Sequence, residues 1–359
     1  MKALVFELSV PRYLAAKALG QRFKGLHWGP GSCFDLREVP APTPPSRDFA
    51  RLAPTHVGLC GSDLAAILFK SSTSLSAYAS FPAVFGHEVL ARVFEPPAGS
   101  DLRAGDRVVV DPFLSCEARG ATDCRRCAEG AYATCERAGV GPRKGMMLGA
   151  CADLPGGFSE SMVAHRGQLF RVPASVPDEV AVLTEPLTVA AHAVLKNPPR
   201  DGASVLVIGG GVIALAAVWA LAEFFPACRV TLLAMEPYQL ELGLALGAAK
   251  GILRGKGEVL TELGADAGSG LLRPVMGRPF LASGYDQVID CVGSRDSLDD
   301  ALRSTRAGGR LVLLGCAGEL PKVDWTFVWS REVTIAGSLA YGWVDDPRAE
   351  EKARRRSLT

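Results

Sequence analysis

Two short strings of residues contain side chains that could act together in catalysis. Cys60 lies in the string Gly-Leu-Cys-Gly-Ser-Asp, and His87 is followed directly by Glu88. A thiolate, an imidazole and a carboxylate are ligand types that hold catalytic zinc while one position stays open. Ser62 and Asp63 would then carry a proton and orient a ligand. Each residue also has a structural interpretation, because a lone cysteine is most often a small buried apolar residue, and 26 residues separate Cys60 from His87.

Four further cysteines form a cluster with the spacing C-x7-C-x2-C-x7-C. They are Cys116, Cys124, Cys127 and Cys135. Four thiolates complete a tetrahedral zinc site and leave no position for a substrate. The segment has no helical or strand period, so something other than a hydrophobic core must order it. The spacing predicts a structural zinc ion, with a redox-active C-x2-C pair or an iron–sulfur cluster as alternatives.

The remaining cysteines are scattered, and we interpret them as structural. They are Cys33, Cys151, Cys228, Cys291 and Cys316. Ten cysteines would suit a disulfide framework in a small secreted protein, but this chain is large and its N-terminus makes a poor signal peptide. Metal binding is therefore the better interpretation of the clustered subset.

A glycine-rich turn indicates a dinucleotide site in the second half of the chain. The β-branched run 204–208 predicts a buried strand, and the pattern G-x-G-x-x-A follows it and opens an Ala/Leu-rich helix. Gly209 permits the tight turn, and Gly211 lets the backbone approach a pyrophosphate. Val212 begins the helix, whose N–H groups face the phosphates, and Ala214 keeps the helix close to the strand.

The end of the next strand leaves the choice between NAD and NADP open. This strand covers 229–233, and the acidic residue expected at its end to bind the ribose is replaced by Ala234. Its absence removes repulsion toward a ribose phosphate. No basic residue follows immediately, however, and Glu236 would oppose such a phosphate.

Six strand-like runs alternate with helical stretches in this half of the chain. They cover 204–208, 229–233, 251–254, 285–292, 309–315 and 334–341. Alternation of this kind predicts an α/β fold with a doubly wound parallel sheet.

The bulk composition limits the class of protein and its partners. A chain of 359 residues predicts two domains, and 48% hydrophobic with 21% charged residues is typical of a globular protein. The net charge of +1 argues against a nucleic acid or an anionic membrane as partner. The apolar runs are too short or interrupted for a membrane span. We therefore expect a cytoplasmic protein.

Taken together, these motifs resemble the zinc-dependent medium-chain alcohol and polyol dehydrogenases, in particular the sorbitol and threonine dehydrogenase branch. The further markers are Glu-Pro-Leu at 185–187 and Asp-Cys-Val-Gly at 290–293. The resemblance implies a β-rich GroES-like catalytic domain at 1–185 with a zinc loop at 116–135. It also implies a Rossmann dinucleotide-binding domain at 186–341, followed by a short polar tail at 342–359.

The resemblance also assigns roles at the predicted catalytic metal. It implies that Cys60, His87 and Glu185 are zinc ligands, with Glu88 coordinating transiently or through water. Ser62 matches the hydroxyl that starts a proton relay, and Asp63 matches the carboxylate that orients the histidine.

The resemblance further implies a nicotinamide cofactor, a reaction and an oligomeric state. Val292 and Gly293 match positions that contact the nicotinamide cofactor. The implied reaction transfers a hydride between a secondary alcohol or polyol, or the corresponding carbonyl, and NAD or NADP. Family members are dimers or tetramers, so we expect a homodimer or homotetramer.

Three features depart from the family pattern. Residues 8–32 insert a helix-like segment, at 13–19, into the usual N-terminal hairpin, and the gap between Cys116 and Cys124 is longer than usual. The tail after Gly342 is polar and basic, so the C-terminal segment that returns to the catalytic domain in this family is expected to be missing. We expect this to leave apolar surface of the catalytic domain uncovered.

Two alternative functions remain at the level of sequence. One is a zinc-free reductase of quinones or enoyl thioesters, which the presence of Cys60, His87 and Glu185 disfavours. The other is a truncated, inactive NAD(P)-binding homologue of the same family.

Overall fold

The computed structural model of the protein describes residues 1–28, 31–255, 258–316, 318–345 and 354–356. The chain divides into two compact units. The first extends from Met1 to Glu185, and the second begins at Pro186. No helix within the described ranges combines the length and the apolar character that crossing a membrane requires.

The first unit is rich in antiparallel strands. Its strands are β1 (Lys2–Phe6), β2 (Phe34–Glu38), β3 (Phe49–Gly58), β4 (Ala83–Val84), β5 (Glu88–Glu95), β6 (Arg107–Val110), β7 (Met162–His165) and β8 (Leu169–Arg171). Its helices are α1 (Val10–Leu19), α2 (Gly25–Trp28), α3 (Gly61–Ile67), α4 (Arg125–Ala128) and α5 (Asp178–Ala181), with short 3₁₀ turns at Thr73–Tyr78, Tyr132–Thr134 and Arg166–Gln168. The strands form a three-stranded sheet in the order β2-β1-β4 and a five-stranded sheet in the order β7-β3-β5-β6-β8.

The five-stranded sheet encloses the core of the first unit. Leu52 from β3, Val89 and Ala91 from β5, and Val108 from β6 are almost fully buried in one cluster. Val89 and Ala91 face this cluster, whereas the intervening Leu90 is buried in a second cluster with Val109. Apolar residues therefore cover both faces of this part of the sheet.

The inserted N-terminal segment is helical, as its sequence predicts. The helix covers Val10–Leu19 and therefore begins three residues before the predicted Tyr13. Pro11 occupies its first turn, where its missing N–H costs no hydrogen bond. A second short helix, α2, follows, and residues 29 and 30 lie outside the described residues.

The second unit is a doubly wound α/β structure. Its strands are β9 (Ser204–Ile208), β10 (Arg229–Ala234), β11 (Lys250–Leu253), β12 (Leu271–Leu272), β13 (Phe280–Leu281), β14 (Tyr285–Asp290), β15 (Thr305–Leu313), β16 (Thr334–Gly337), β17 (Trp343–Asp345) and β18 (Arg354–Arg356). Its helices are α6 (Thr184–Lys196), which starts at the unit boundary, α7 (Val212–Phe224), α8 (Pro237–Ala245), α9 (Val259–Asp266), α10 (Arg295–Ser304) and α11 (Thr326–Ser330). Six strands form a parallel sheet in the order β11-β10-β9-β14-β15-β16, which confirms the predicted sheet.

Alternate residues of the central strand β9 face two different helix layers. Val205 and Val207 pack in one cluster with α6 and α7, whereas Leu206 and Ile208 pack in another with α9 and α10. Helices therefore cover both faces of the sheet, and this explains why β9 is apolar at every position from 205 to 208.

The polar tail predicted at 342–359 contains one pair of strands. β17 pairs with β18 in antiparallel register, with Val344 opposite Arg355. Residues 346–353 and 357–359 lie outside the part of the chain that the structure describes.

Candidate active site and metal centres

The structure brings Cys60, His87 and Glu88 together. One potential ligand atom from each residue lies within 4.8 Å of the others. Strands β3 and β5 pair in antiparallel fashion, with Gly58 opposite Glu88. Cys60 follows the end of β3 and His87 precedes β5, so the strand pairing places the two side chains side by side despite their distance in sequence.

Cys60 also begins helix α3. Its extended backbone and its sulfur, which accepts a hydrogen bond from the N–H of Ser62 at 3.5 Å, make it the N-cap. Asp63 completes a reciprocal capping box, because its Oδ2 accepts from the N–H of Cys60 at 3.0 Å. The string that was singled out for its chemistry therefore also fixes where the helix starts.

Gly58 makes room for Glu88 beside this group. A Cβ atom on Gly58 would lie 1.9 Å from Oε2 of Glu88, which is far closer than two nonbonded atoms approach. A larger residue at 58 would push the carboxylate away from its present position. The sequence contains this glycine, but only the strand pairing shows which side chain it accommodates.

A buried carboxylate supports the imidazole of His87. Oδ1 of Asp63 lies 3.5 Å from Nδ1 of His87, and both side chains are almost inaccessible to solvent. Burial by itself lowers the pKa of His87, but hydrogen bonds with Asp63 and Cys60 outweigh it. The charges of Asp63 and Glu185 act in the same direction, and the pKa lies well above its usual range.

The remaining carboxylates make this site rich in negative charge. Burial raises the pKa of Glu88, and the charge of Asp63 adds to this rise while His87 and Cys60 oppose it. Glu185, in the first turn of α6, is buried and acts electrostatically on His87, but it is not part of the compact three-residue group. Such a donor set of sulfur, nitrogen and oxygen suits a zinc ion, whose charge would offset the carboxylates.

A cavity of about 430 Å³ opens beside this group. Ser62, Asp63 and His87 all contribute to its lining. Its size is in the range of small-molecule sites. The half-buried hydroxyl group of Ser62 is thus placed where it can meet a bound molecule.

The four clustered cysteines also lie together, with their sulfur atoms within 4.8 Å of one another. The Sγ of Cys135 is 3.6 Å from that of Cys116 and 3.9 Å from that of Cys124. Zinc–sulfur bonds of about 2.3 Å at tetrahedral angles place sulfurs about 3.8 Å apart. The cysteines are not disulfide-bonded, and their spacing fits a closed tetrahedral zinc site.

Backbone groups around the cysteine cluster point at its sulfur atoms. The N–H of Cys124 donates to Sγ of Cys116 at 3.3 Å, and the N–H of Cys116 donates to Sγ of Cys127 at 3.4 Å. Burial opposes ionisation of Cys124, but backbone N–H groups of Cys127 and Glu136 lower its pKa to about 7. These bonds, with helix α4 and the turn at Tyr132–Thr134, order a loop whose sequence has no regular period.

The predicted nucleotide residues form a tight turn at the end of β9. Gly209 has a φ of +124°, which only glycine adopts readily, and a Cβ atom there would lie 3.1 Å from Val292. Gly211 caps α7, and no atom lies within 4 Å of the position its Cβ would take. Val212 begins the helix and Ala214 is buried against the sheet. This geometry leaves the helix N–H groups free to face an anion.

Asp290 shapes the neighbouring loop, a role that sequence reasoning did not assign. Its Oδ1 accepts hydrogen bonds from the N–H groups of Val292 at 2.9 Å and Gly293 at 3.2 Å. Burial raises its pKa, although these bonds and one from Ser297 oppose that rise. The Asp-Cys-Val-Gly string gives a usable signal, because an aspartate at a strand end commonly accepts from backbone two residues on.

The end of β10 contains Ala234, which is buried, and Glu236, which is exposed. Glu236 is the residue that caps α8. Gln239 was missed by the sequence analysis, and its Oε1 accepts from the N–H groups of Met235 and Glu236, both at 3.2 Å. The same side chain lies against Gly210, where a Cβ would be 2.1 Å from it. Gln239 thus joins the loop after β10 to the glycine turn.

Comparison with known proteins identifies both halves of the chain. Residues 48–174 match the alcohol dehydrogenase GroES-like domain, and residues 213–355 match the zinc-binding dehydrogenase family. The chain is 30% identical to L-idonate 5-dehydrogenase of Vitis vinifera over 79% of its own length and 71% of that protein. It is 29% identical to sorbitol dehydrogenase of Arabidopsis thaliana, over 79% of this chain and 72% of that one.

A solved structure agrees with these matches. A zinc-binding dehydrogenase from Sinorhizobium meliloti, crystallised with NADP, is 26% identical with a TM-score of 0.68, over 94% of this chain and 84% of that one. These matches confirm the predicted GroES-like and Rossmann halves. The chain belongs to the zinc-binding medium-chain alcohol and polyol dehydrogenases, a family of oxidoreductases that act on CH–OH groups.

Proposed function

We propose that the protein is a zinc-dependent dehydrogenase that uses NAD or NADP to oxidise an alcohol or to reduce the corresponding carbonyl. The observation that carries the proposal is the grouping of Cys60, His87 and Glu88 beside a cavity that also reaches Ser62. We propose these three residues, with Glu185 as a further carboxylate, as the residues that hold catalytic zinc.

Each residue of the site has its own role in the proposed reaction. When bound, a zinc ion would supply Lewis acidity that lowers the pKa of an alcohol, and a nicotinamide cofactor would supply the acceptor for a hydride. Ser62 would relay the proton of the hydroxyl group, accepting it while its own O–H proton passes to water, since its side chain lines the same cavity as His87 and is only partly buried. Asp63 holds His87 in position and ties Cys60 to the start of α3.

The second unit supplies the proposed cofactor site. Gly209, Gly211 and Val212 present backbone N–H groups to the pyrophosphate, and Ala214 allows close packing of helix and strand. Ala234 and Glu236 lie at the proposed ribose position, with Val292 and Gly293 on the neighbouring loop. Cys116, Cys124, Cys127 and Cys135 hold a second, structural zinc ion in this proposal, and a four-thiolate site has no open position for substrate.

The proposal extends to partners and location. The enzyme acts on a small molecule in the cytoplasm, as a homodimer or homotetramer. The balanced charge of the chain, +1 in total, supports neither nucleic acid nor a membrane surface as its partner.

Metal analysis of the purified protein and a Cys60→Ala variant test this function. We expect about two zinc ions per chain in the native protein and about one in the variant, because only the open site loses a ligand. Turnover of alcohols, followed by NAD(P)H absorbance, should disappear in the variant, while titration of NAD(P)H fluorescence should show unchanged cofactor binding.

Cys228→Ala is the matched control, since Cys228 is a half-buried cysteine outside both groups. It should retain zinc and turnover. Turnover that survives Cys60→Ala or removal of zinc by a chelator would favour the zinc-free reductase. Full zinc and cofactor binding with no turnover of any alcohol would favour the inactive homologue.

A further inference from the structure

The inserted N-terminal segment forms one wall of the cavity beside the candidate metal site. Val10, Tyr13 and Leu14 of α1 all contribute to the lining, as do Ser62 and His87. Val10 and Leu14 are exposed by 61% and 57%, so they lie at the cavity rim instead of in the core. An insertion without an assigned role therefore reaches the place where a substrate would lie.

Aromatic contacts fix this segment to the helix that begins with the candidate ligand. Tyr13 meets Phe69 edge to face, with ring centroids 5.0 Å apart, and the ring of His27 lies 5.8 Å from the same phenyl ring. Nδ1 of His27 is 3.2 Å from the carbonyl oxygen of Ile67, the last residue of α3. The segment is thus anchored to the far end of the helix that starts at Cys60.

The backbone at this anchor is strained. Phe69 has a φ of +53°, a conformation that a bulky residue rarely adopts, and its side chain is only 6% exposed. Such strain persists only where surrounding packing holds it, and it is concentrated at functional sites. The contacts with Tyr13 and His27 supply that packing, which links the inserted segment to the shape of the cavity.

Apart from Asp63 and His87, the lining is uncharged and mostly apolar, with some hydroxyl groups. Phe81, Phe85, Met146, Met147 and Leu148 form other parts of it, and the described lining contains no lysine, arginine or glutamate. No lysine or arginine side chain lines the cavity to pair with a carboxylate or phosphate group on a substrate.

Hydroxyl groups in the lining are partly engaged elsewhere. The Oγ of Ser72 accepts from the N–H of Ser74 at 3.3 Å, and the Oγ of Ser76 donates to the carbonyl of Thr73 at 2.6 Å. These two hydroxyls cap and stabilise their own 3₁₀ turn. Because most of the lining is apolar and these two hydroxyls already bond within their own turn, a polyol chain would lose more hydration here than a hydrocarbon chain.

We infer that this cavity selects a neutral alcohol with a hydrocarbon chain or ring, or the corresponding carbonyl, and that helix α1 is a specificity-determining wall. The inference rests on the proposed dehydrogenase function and narrows it from alcohols and polyols to apolar alcohols. Asp63, His87 and Leu14 all line the cavity, so in this inference the hydroxyl end of the substrate faces Asp63 and His87 while its apolar part contacts Leu14.

A series of 2-alkanols from 2-propanol to 2-octanol, compared with sorbitol and L-threonine, tests the substrate class. Burial of each added methylene should raise kcat/KM about threefold to fourfold until the cavity is filled. Sorbitol and threonine should be turned over at least tenfold less efficiently than 2-octanol. Turnover of sorbitol without any gain along the alkanol series would overturn the inference and leave the proposed function intact.

Leu14→Ala and Leu19→Ala form a matched pair of variants. Both leucines belong to α1 and are about half exposed, but only Leu14 lines the cavity. Leu14→Ala should raise the KM for 2-octanol about threefold to tenfold and leave that for 2-propanol unchanged, whereas Leu19→Ala should change neither. Equal KM values in the two variants would contradict the role of α1.

Binding measured without turnover separates this inference from the proposed function. In the Cys60→Ala background, 2-octanol should displace the dye 8-anilinonaphthalene-1-sulfonate, and Leu14→Ala should weaken this displacement. Displacement that does not depend on Leu14, or an oligomeric state that changes with Leu14→Ala, would show that the wall contacts something other than substrate. Absence of turnover with every alcohol would reject the proposed function itself.

Discussion

Asp63 makes two contacts, one with the backbone at the start of a helix and one with the side chain of a candidate metal ligand. One oxygen accepts from the backbone of Cys60, and the other lies against the ring of His87. Through the first, it fixes the helix start, and through the second, it fixes the direction of the imidazole. A carboxylate beside a metal-binding histidine also raises the basicity of that ligand.

Asp63→Asn should therefore weaken metal binding more than folding. The amide keeps the shape of the side chain but removes its charge, and loss of such an outer partner costs about 10-fold to 100-fold in metal affinity or activity. Zinc affinity, measured by competition with a chelator, should fall by this factor, and kcat should fall at subsaturating zinc.

The exposed Asp35 on β2 provides the control, and Asp35→Asn should change neither the zinc affinity nor kcat. A melting temperature that falls in Asp63→Asn while zinc affinity stays constant would show that the carboxylate only caps the helix.

At the scale of elements, the sequence predicts the sheet of the second unit well because its signals are local. The run 204–208 is apolar on both faces, and the Gly-x-Gly turn follows it directly. The meeting of Cys60 with His87 could not be predicted in the same way. It depends on the register of β3 against β5, which a long-range pairing decides, and on the space that Gly58 leaves for Glu88.

The contacts of the N-terminal insertion could likewise not be predicted from local sequence. Its helical period was visible from Tyr13 to Leu19, but its partners lie far along the chain. Phe69 and Ile67 are separated from α1 by about fifty residues, and nothing in their local sequence indicates the contact. For the same reason, the apolar character of the cavity was not predicted.

Helix α6 contains a histidine that is buried in its neutral form. His192 is 5% exposed, and its Nδ1 has no hydrogen-bond partner among the described residues. Burial, with a smaller contribution from the charge of Lys196, lowers its pKa to about 4. The neighbouring residues Ala191 and Ala193 pack into the core of the second unit, so a charge at 192 would be costly.

The pKa of His192 predicts a loss of stability in acid. Above about pH 6.5 the residue is neutral in both states and has no effect on the pH dependence. As the pH falls from 6.5 toward 4, the unfolded chain binds a proton that the folded chain does not. At pH 5 this linkage destabilises the folded state by about 2 kcal/mol.

His192→Leu should remove this contribution. Thermal melts at pH 7.5 and pH 5 should show a smaller acid-induced fall in melting temperature for the variant than for the native protein. The difference in melting temperature between the two proteins at pH 7.5, where the histidine is neutral, reports the packing effect of leucine separately. Equal falls in both proteins would mean that His192 accepts a proton in the folded state.

At the scale of the whole molecule, the parallel sheet of the second unit has an open edge. The six-stranded sheet of the second unit has β16 as an edge strand, with its outer backbone groups unpaired within the described chain. Such an edge is a template for pairing with another chain unless it is protected. Helix α11 leads into this strand and exposes Trp325 by 53% and Trp329 by 74%.

From these features we expect a subunit interface on the second unit. Large exposed aromatic side chains beside an open strand edge mark an association surface, and a two-fold axis would bring the same patch of both chains together. Trp329→Arg should put two charges into that interface and shift the protein toward the monomer. The mass in solution, measured by light scattering after gel filtration, should fall by about half for a dimer.

Trp28→Arg is the matched control, because Trp28 is exposed by 60% but belongs to α2 of the first unit. It should leave the mass unchanged, since the first unit does not contain the open six-stranded edge. If Trp28→Arg lowers the mass and Trp329→Arg does not, the inserted segment is the subunit contact. The apolar residues of α1 would then serve assembly, and the assignment of Leu14 to substrate selection would fail together with this prediction.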